Sequence, residues 1–259
     1  MDLGITGRKA IVCASSRGLG RGCAEALAAA GCEVVINGRD AAHLERTAEA
    51  IRKATGATII AVAADVATQE GQDALLAACP EPDILVNNNA GPPFRDFTEL
   101  DRQSMIDGVV GNMITPIELI QRVIGPMAER GFGRIVNITS SSVRAPIAGL
   151  DLSSGARAGL TAFLKGVGQQ FVGSNVTINN ILPGAFDTDR LRSGHERTAQ
   201  QRNVAVETVR AEAAARIPAK RFGTPEEFGQ ACAFLCSAQA GYISGQNLLI
   251  DGGAFPGAF

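Results

Sequence analysis

Two histidines, one tyrosine, no Cys-x-x-Cys pair and no apolar run near eighteen residues leave this 259-residue chain without the raw material of several protein classes. His43 and His195 are far apart in sequence, and the six cysteines (Cys13, Cys23, Cys32, Cys79, Cys232, Cys236) lie mostly among apolar and small residues. No metal centre is expected, and the thiols read as buried and reduced. Cys232 and Cys236, four apart on an expected helix, have no third ligand nearby. With no long apolar segment the chain is not expected to span a membrane, and Met1-Asp2-Leu3-Gly4 does not open a signal peptide, which points to the cytoplasm. The net charge of -2, with basic residues scattered rather than striped, excludes nucleic acid as a partner. What remains is enough chain to bury a large core as one domain without disulfides.

What is present begins at Lys9-Ala10-Ile11-Val12, an apolar run that breaks into Cys13-Ala14-Ser15-Ser16-Arg17-Gly18-Leu19-Gly20 and then into a helical pattern through Cys23, Ala24, Leu27 and Ala28. Strand, small-residue turn and helix start form a phosphate cradle: unpaired N–H groups and the helix dipole attract a pyrophosphate, and Gly18 and Gly20 admit it closely. Ser15, Ser16, Arg17 and Leu19 complete that turn; the competing reading is a tight turn closing an ordinary βα unit. The second strand, Glu33 to Asn37, ends in Asn37-Gly38-Arg39, with no acid to hold a ribose 2′-hydroxyl. Arg39 and Arg17 instead suit a 2′-phosphate and favour NADP(H) over NAD, unless they are merely solvated. Asp40 is expected to cap a helix over Ala41 to Ala54. A third apolar run, Ala57 to Ala64, delivers Asp65 and Val66 to a strand end, where the carboxylate meets an adenine amino group or caps the loop. Asp83 to Val86 reads as a fourth strand opening into Asn87-Asn88-Asn89-Ala90-Gly91-Pro92-Pro93.

With the glycine turn and the Asn-Asn-Ala-Gly strand end in place, the chain resembles the short-chain dehydrogenase/reductase family nearly end to end. The family's Thr-Gly-x-x-x-Gly-x-Gly turn has Ala14 at its leading glycine here, and its Asn-Asn-Ala-Gly motif is longer by one asparagine. Asn89, with Ala90 and Gly91, is taken as the cofactor-facing one. The resemblance implies that Asn112, on a long helix from Asp101 to Glu129, helps hold a proton-relay water. It implies that Ser140, after the strand Arg134 to Ile138, bonds the substrate carbonyl. It also implies that Pro183, Gly184 and Thr188, after the strand Val176 to Leu182, cover the nicotinamide.

The family's Tyr-x-x-x-Lys window is where this chain departs. Ser153-Ser154-Gly155-Ala156-Arg157, followed by Ala158-Gly159-Leu160, puts Ser153 at the tyrosine and Arg157 at the lysine. A phenol of pKa about 10 is a workable acid when a cation stands beside it, whereas an alkyl hydroxyl is not. Arg157 keeps the positive charge and suits ribose hydroxyls, but stays protonated. Tyr242, the only tyrosine, falls in a late segment, so Asp151 and His195 are the substitute donors to weigh against structural roles. The chain is similar to a divergent subgroup related to 3-oxoacyl-acyl-carrier-protein reductases with these two positions altered. The same resemblance implies a homodimer or homotetramer through the helix Leu152 to Phe171 and its predecessor, and a substrate lid at 189–219. Arg190, Arg192, Arg197 and Arg202 in that lid face an anionic or carrier-linked substrate or simply solvent.

The expectation is one doubly wound Rossmann-type α/β domain over 1–259, a parallel seven-stranded sheet with helices on both faces. Its leading function is NADP-dependent interconversion of a small or acyl-type carbonyl compound and its alcohol, with Ser140, Asn112, Ser153 and Arg157 as the catalytic set. The alternatives are a catalytically impaired NADP(H) sensor or scaffold, and a lyase or isomerase borrowing the fold.

Overall fold

The computed structural model describes residues 2–258. Seven parallel strands form one sheet: β1 (Lys9–Val12), β2 (Glu33–Gly38), β3 (Ile59–Ala63), β4 (Ile84–Asn87), β5 (Gly133–Ile138), β6 (Val176–Pro183) and β7 (Asn247–Ile250). Their order is β3-β2-β1-β4-β5-β6-β7, so the chain winds outward in both directions from β1 and β4. That reversal opens a crevice beyond the carboxyl ends of the central strands.

The two-residue period of the strands sorts their side chains into two cores. Ala10, Val12, Val34, Ile36, Val86 and Val136 pack against α1 (Gly18–Ala29), α2 (Ala41–Thr55) and α9 (Pro225–Leu235). Ile11, Val35, Leu85, Ile135 and Ile178 face α3 (Gln69–Ala78), α5 (Thr115–Glu129) and α6 (Asp151–Phe171). On the first face α1 and α9 touch backbone to backbone. A Cβ at Gly22 would strike the Pro225 carbonyl, and one at Gly229 the Gly22 carbonyl.

The expected long helix is not continuous. It divides into α4 (Arg102–Val109), a π-turn over Val110–Ile114 and α5, and Asn112 lies inside the π-turn. A widened turn of this kind displaces one residue from the helical repeat. The segment after β6 carries α7 (Asp189–Arg202) and α8 (Val206–Arg216). α9 ends at Leu235, and a 3₁₀ turn over Ala238–Tyr242 follows, with Tyr242 fully exposed. All six cysteines are free and buried. Among the described residues no helix is long and apolar enough to cross a membrane, and no three His, Cys, Asp or Glu side chains gather as metal ligands.

Candidate active site

The turn after β1 is built by buried polar side chains. Ser15 donates from its hydroxyl to the Val12 carbonyl at 2.6 Å and accepts from the Asn37 N–H at 3.0 Å. The Asn37 carboxamide oxygen accepts from the Ala14 N–H, and its nitrogen donates to the carbonyls of Val62 and Ala64. Asn37, expected among the cofactor contacts, is 1% exposed and spends its amide on three strands' ends, so it shapes the turn from behind. The Ser16 carbonyl is held from α2 by the Thr47 hydroxyl at 2.8 Å, with the His43 ring at 3.2 Å.

Ala14 has φ of +44°, the left-handed region that favours glycine. Gly18 has φ of +58°, and a Cβ on Gly20 would lie 2.5 Å from the Ala14 carbonyl and 2.8 Å from the Asn88 amide nitrogen. Arg17 caps α1 with extended backbone and no side-chain bond, which leaves the first N–H groups of the helix facing the crevice. Thr188 stands across from this turn, its methyl 3.6 Å from where a Gly18 Cβ would be.

Arg39 and Arg17 are exposed at the same edge. Arg39 faces the Asp65 carboxylate at 3.9 Å, while the other Asp65 oxygen accepts from the Ala67 N–H at 3.0 Å, the loop-capping arrangement. Val66 is buried in the core behind it. Of the asparagine triplet, Asn87 ends β4, Asn88 donates to the Ala14 carbonyl at 3.0 Å, and Asn89 donates to the Gly111 carbonyl of the π-turn at 3.0 Å. Asn88 is the clamp between β4 and the phosphate turn; the repeated asparagines hid its separate role. Ala90 and Gly91 follow on the crevice side, and Pro183 and Gly184 close the end of β6, with the Gly184 N–H bound to the Ile250 carbonyl.

Arg157 is the centre of the catalytic window. One face of its guanidinium donates to the carbonyls of Thr139 at 2.5 Å and Ile138 at 3.3 Å, and its far nitrogen donates to the Asn112 carboxamide oxygen at 2.7 Å. The side chain is 8% exposed, and burial, with the Arg190 charge adding to it, pushes it down to about 10. It therefore remains a cation at neutral pH. The Asn112 carboxamide oxygen, expected to help hold a proton-relay water, is bonded directly to Arg157 instead. A cavity of about 20 Å³ remains beside the pair, where the Asn87 carboxamide oxygen, the Thr115 hydroxyl and the Arg157 Nε are buried without protein partners. One water fits such a space.

Ser153 is buried on α6, one turn before Arg157, and Ser140 lies at the end of β5 with its hydroxyl accepting from the Ser142 N–H at 3.1 Å. That bond leaves the Ser140 proton free to donate. Neither substitute proton donor converges on this window. His195 packs on Phe222 with ring centroids 5.5 Å apart, and burial and Arg210 lower its pKa. Asp151 is exposed in the first turn of α6.

Beneath the site four asparagine amides run head to tail across four strands. Asn87 donates to Asn137 at 2.9 Å, Asn137 to Asn180 at 3.0 Å, and Asn180 to Asn247 at 2.8 Å. All four occupy matching positions in the sheet register. The signal in the sequence was a polar residue inside each of four apolar strands, legible only once the strand order is known.

Residues 13–254 match the family model described as enoyl-(acyl carrier protein) reductase. The chain is 30% identical over 98% of its length, and 100% of the relative's, to the 3-oxoacyl-[acyl-carrier-protein] reductase FabG of Aquifex aeolicus. This chain is a short-chain dehydrogenase/reductase. It is also 30% identical to the NADPH-dependent reductase BacG of Bacillus subtilis, over 95% of this chain and 97% of that one. Among solved structures, L-sorbose reductase from Gluconobacter frateurii, complexed with NADPH and L-sorbose, matches with a TM-score of 0.94 over 99% of this chain and 100% of that one, at 27% identity. The glycine turn, Ser140 and the end of β6 all lie at the carboxyl edge of the sheet.

Proposed function

We propose that the protein is an NADP(H)-dependent reductase of a 3-oxoacyl-like or small ketone, working with an altered proton-delivery site. The observation that carries this reading is the convergence on one crevice of an uncapped helix start, two exposed arginines at the ribose end, and Ser140 beside a buried guanidinium. The residues fit a nicotinamide dinucleotide phosphate: the α1 N–H groups and Gly18 take the pyrophosphate, Arg17 and Arg39 the 2′-phosphate, Asp65 and Val66 the adenine end. Asn89, Ala90, Gly91, Pro183, Gly184 and Thr188 line the path to the nicotinamide. When bound, the cofactor supplies the hydride.

Ser140 donates its free proton to the substrate oxygen and polarises the carbonyl. Arg157 holds a fixed positive charge below it, which favours the developing alkoxide. With no phenol at Ser153, the proton reaches the product oxygen from solvent, by way of Ser140 or a water against Ser153. Association through α4 to α6 into a homodimer or homotetramer is part of the reading, supported by exposed Met105, Ile106, Val109 and Phe163. The α7–α8 segment at 189–219 acts as the substrate lid, and the setting is cytoplasmic.

A second reading is favoured by Arg157 itself: its inward bonds and a pKa of about 10 keep it a fixed cation rather than a proton carrier, as suits an NADP(H) sensor or scaffold. Fluorescence titration with NADPH and NADH, followed by NADPH oxidation against ketones and 3-oxoacyl thioesters, separates the two. Binding with turnover is the expected result; binding without turnover leaves the sensor, and no binding sinks both.

A further inference from the structure

The four arginines of α7 are not equivalent. Arg192 is paired with Asp187 at 3.0 Å, and Arg202 with Glu212 at 2.7 Å. Asp187 also pairs with Arg210 at 3.1 Å, and Asp189 pairs with Arg192 at 3.6 Å. Arg190 and Arg197 have no carboxylate partner among the described residues, and they lie seven apart on α7, on one face of the helix.

Arg190 reaches back across the crevice. Its Nη2 donates to the Pro92 carbonyl at 2.9 Å, and its guanidinium occupies the space where a Gly91 side chain would be, 2.5 Å from an ideal Cβ. It thus joins the lid to the loop after β4, three residues beyond the Asn89 amide that holds the π-turn. One of its five N–H donors is spent on Pro92, and the rest of the fork is free. Burial and the Arg190 charge lower the proton affinity of Arg157, and burial and the Arg197 charge lower that of Arg190, so three cations are left without a shared counter-ion among the described residues at this edge of the crevice. Like charges held together cost free energy unless an anion joins them.

We propose that Arg190 is a substrate-recognition residue and that the preferred substrate is an oxo acid, a carbonyl compound whose own carboxylate seats on the free fork of Arg190 with Arg197 behind it. A planar carboxylate matches the guanidinium fork in a way that a neutral ketone cannot. This names the substrate class for the reductase reading and rests on it for the reaction.

The test is calorimetric titration of the NADP+-loaded protein with 3-oxo acids of increasing chain length and, separately, with their methyl esters. Wild-type protein is expected to bind at least one acid about tenfold or more tightly than its ester. Arg190→Gln should raise the acid Kd by about tenfold or more and leave the ester and NADPH affinities within about threefold, and Arg190→Lys should restore part of the loss. Equal binding of acids and esters, no binding of any acid, or an Arg190→Gln loss that falls equally on NADPH overturns the proposal. Turnover of esters with no preference for acids would leave the reductase reading standing without this site. Acid binding with no NADPH oxidation would leave the site standing without the reductase.

Discussion

The turn after β1 and the Ser153–Arg157 window lie at the same edge of the same sheet, and each departs from the family's usual pattern at one or two positions. At the turn, Ala14 takes the left-handed φ of +44° that a glycine adopts freely, and the turn keeps its hydrogen bonds to Asn37 and Asn88. At the window, α6 keeps its place and Arg157 points at the end of β5, while Ser153 and Arg157 stand where the family resemblance implies a phenol and an amine. A role played by backbone survives a change of side chain at the cost of some strain. A role played by a functional group depends on the side chain itself, however well the backbone is preserved.

The sharpest way to break that contrast is to restore the functional groups. Ser153→Tyr with Arg157→Lys is expected to raise NADPH oxidation on a ketone panel by about 10²–10⁴, the worth of a general acid, with NADPH affinity little changed. No gain despite intact binding would show that the window has lost more than its proton donor.

Removing the guanidinium tests how far it has become structural. Arg157→Leu leaves the Asn112 oxygen and the Thr139 and Ile138 carbonyls buried without donors, and a loss of about 3 kcal/mol is expected in urea unfolding. A midpoint unchanged from wild type would mean that those carbonyls find other partners.

At the other end of the crevice, Arg39→Ala should weaken NADPH by about tenfold while leaving NADH untouched, because only the former carries the 2′-phosphate. The effect should shrink with added salt. An equal loss for both nucleotides would move Arg39 from the 2′-phosphate to the shared part of the cofactor.

The smallest expected effect completes the comparison. Ala14→Gly relieves the positive φ and should stabilise the fold by about 0.5 kcal/mol, net of the glycine's greater unfolded-state entropy, with NADPH affinity preserved. Loss of stability would show that the alanine methyl packs usefully enough to outweigh its strain.

Much of the architecture was legible because it rests on patterns of two and 3.6: the apolar runs gave the strands, and Asp40, expected to cap a helix, does so. Asn37 and Asn88 were harder. Their importance lies in bonds to residues 23 and 74 positions away, which no local pattern announces. The π-turn was visible only as an interrupted helix at Asn112, and the direct bond between Asn112 and Arg157 spans 45 residues. Likewise, nothing in the spacing of the lid arginines distinguishes Arg190, which meets Pro92, from Arg192, which meets Asp187; the difference is made by where the crevice walls end.

The chain of asparagine amides from Asn87 to Asn247 works as a seam that stitches β4, β5, β6 and β7 together side chain to side chain. A slip of any one of these strands by a single residue would carry its asparagine to the opposite face and break every bond it makes in the seam. The four strands that end under Ser140 and Arg157 are therefore locked in phase, so the floor of the crevice behaves as one plate. Whatever must move to admit and release ligands is left to the lid and the loops above it.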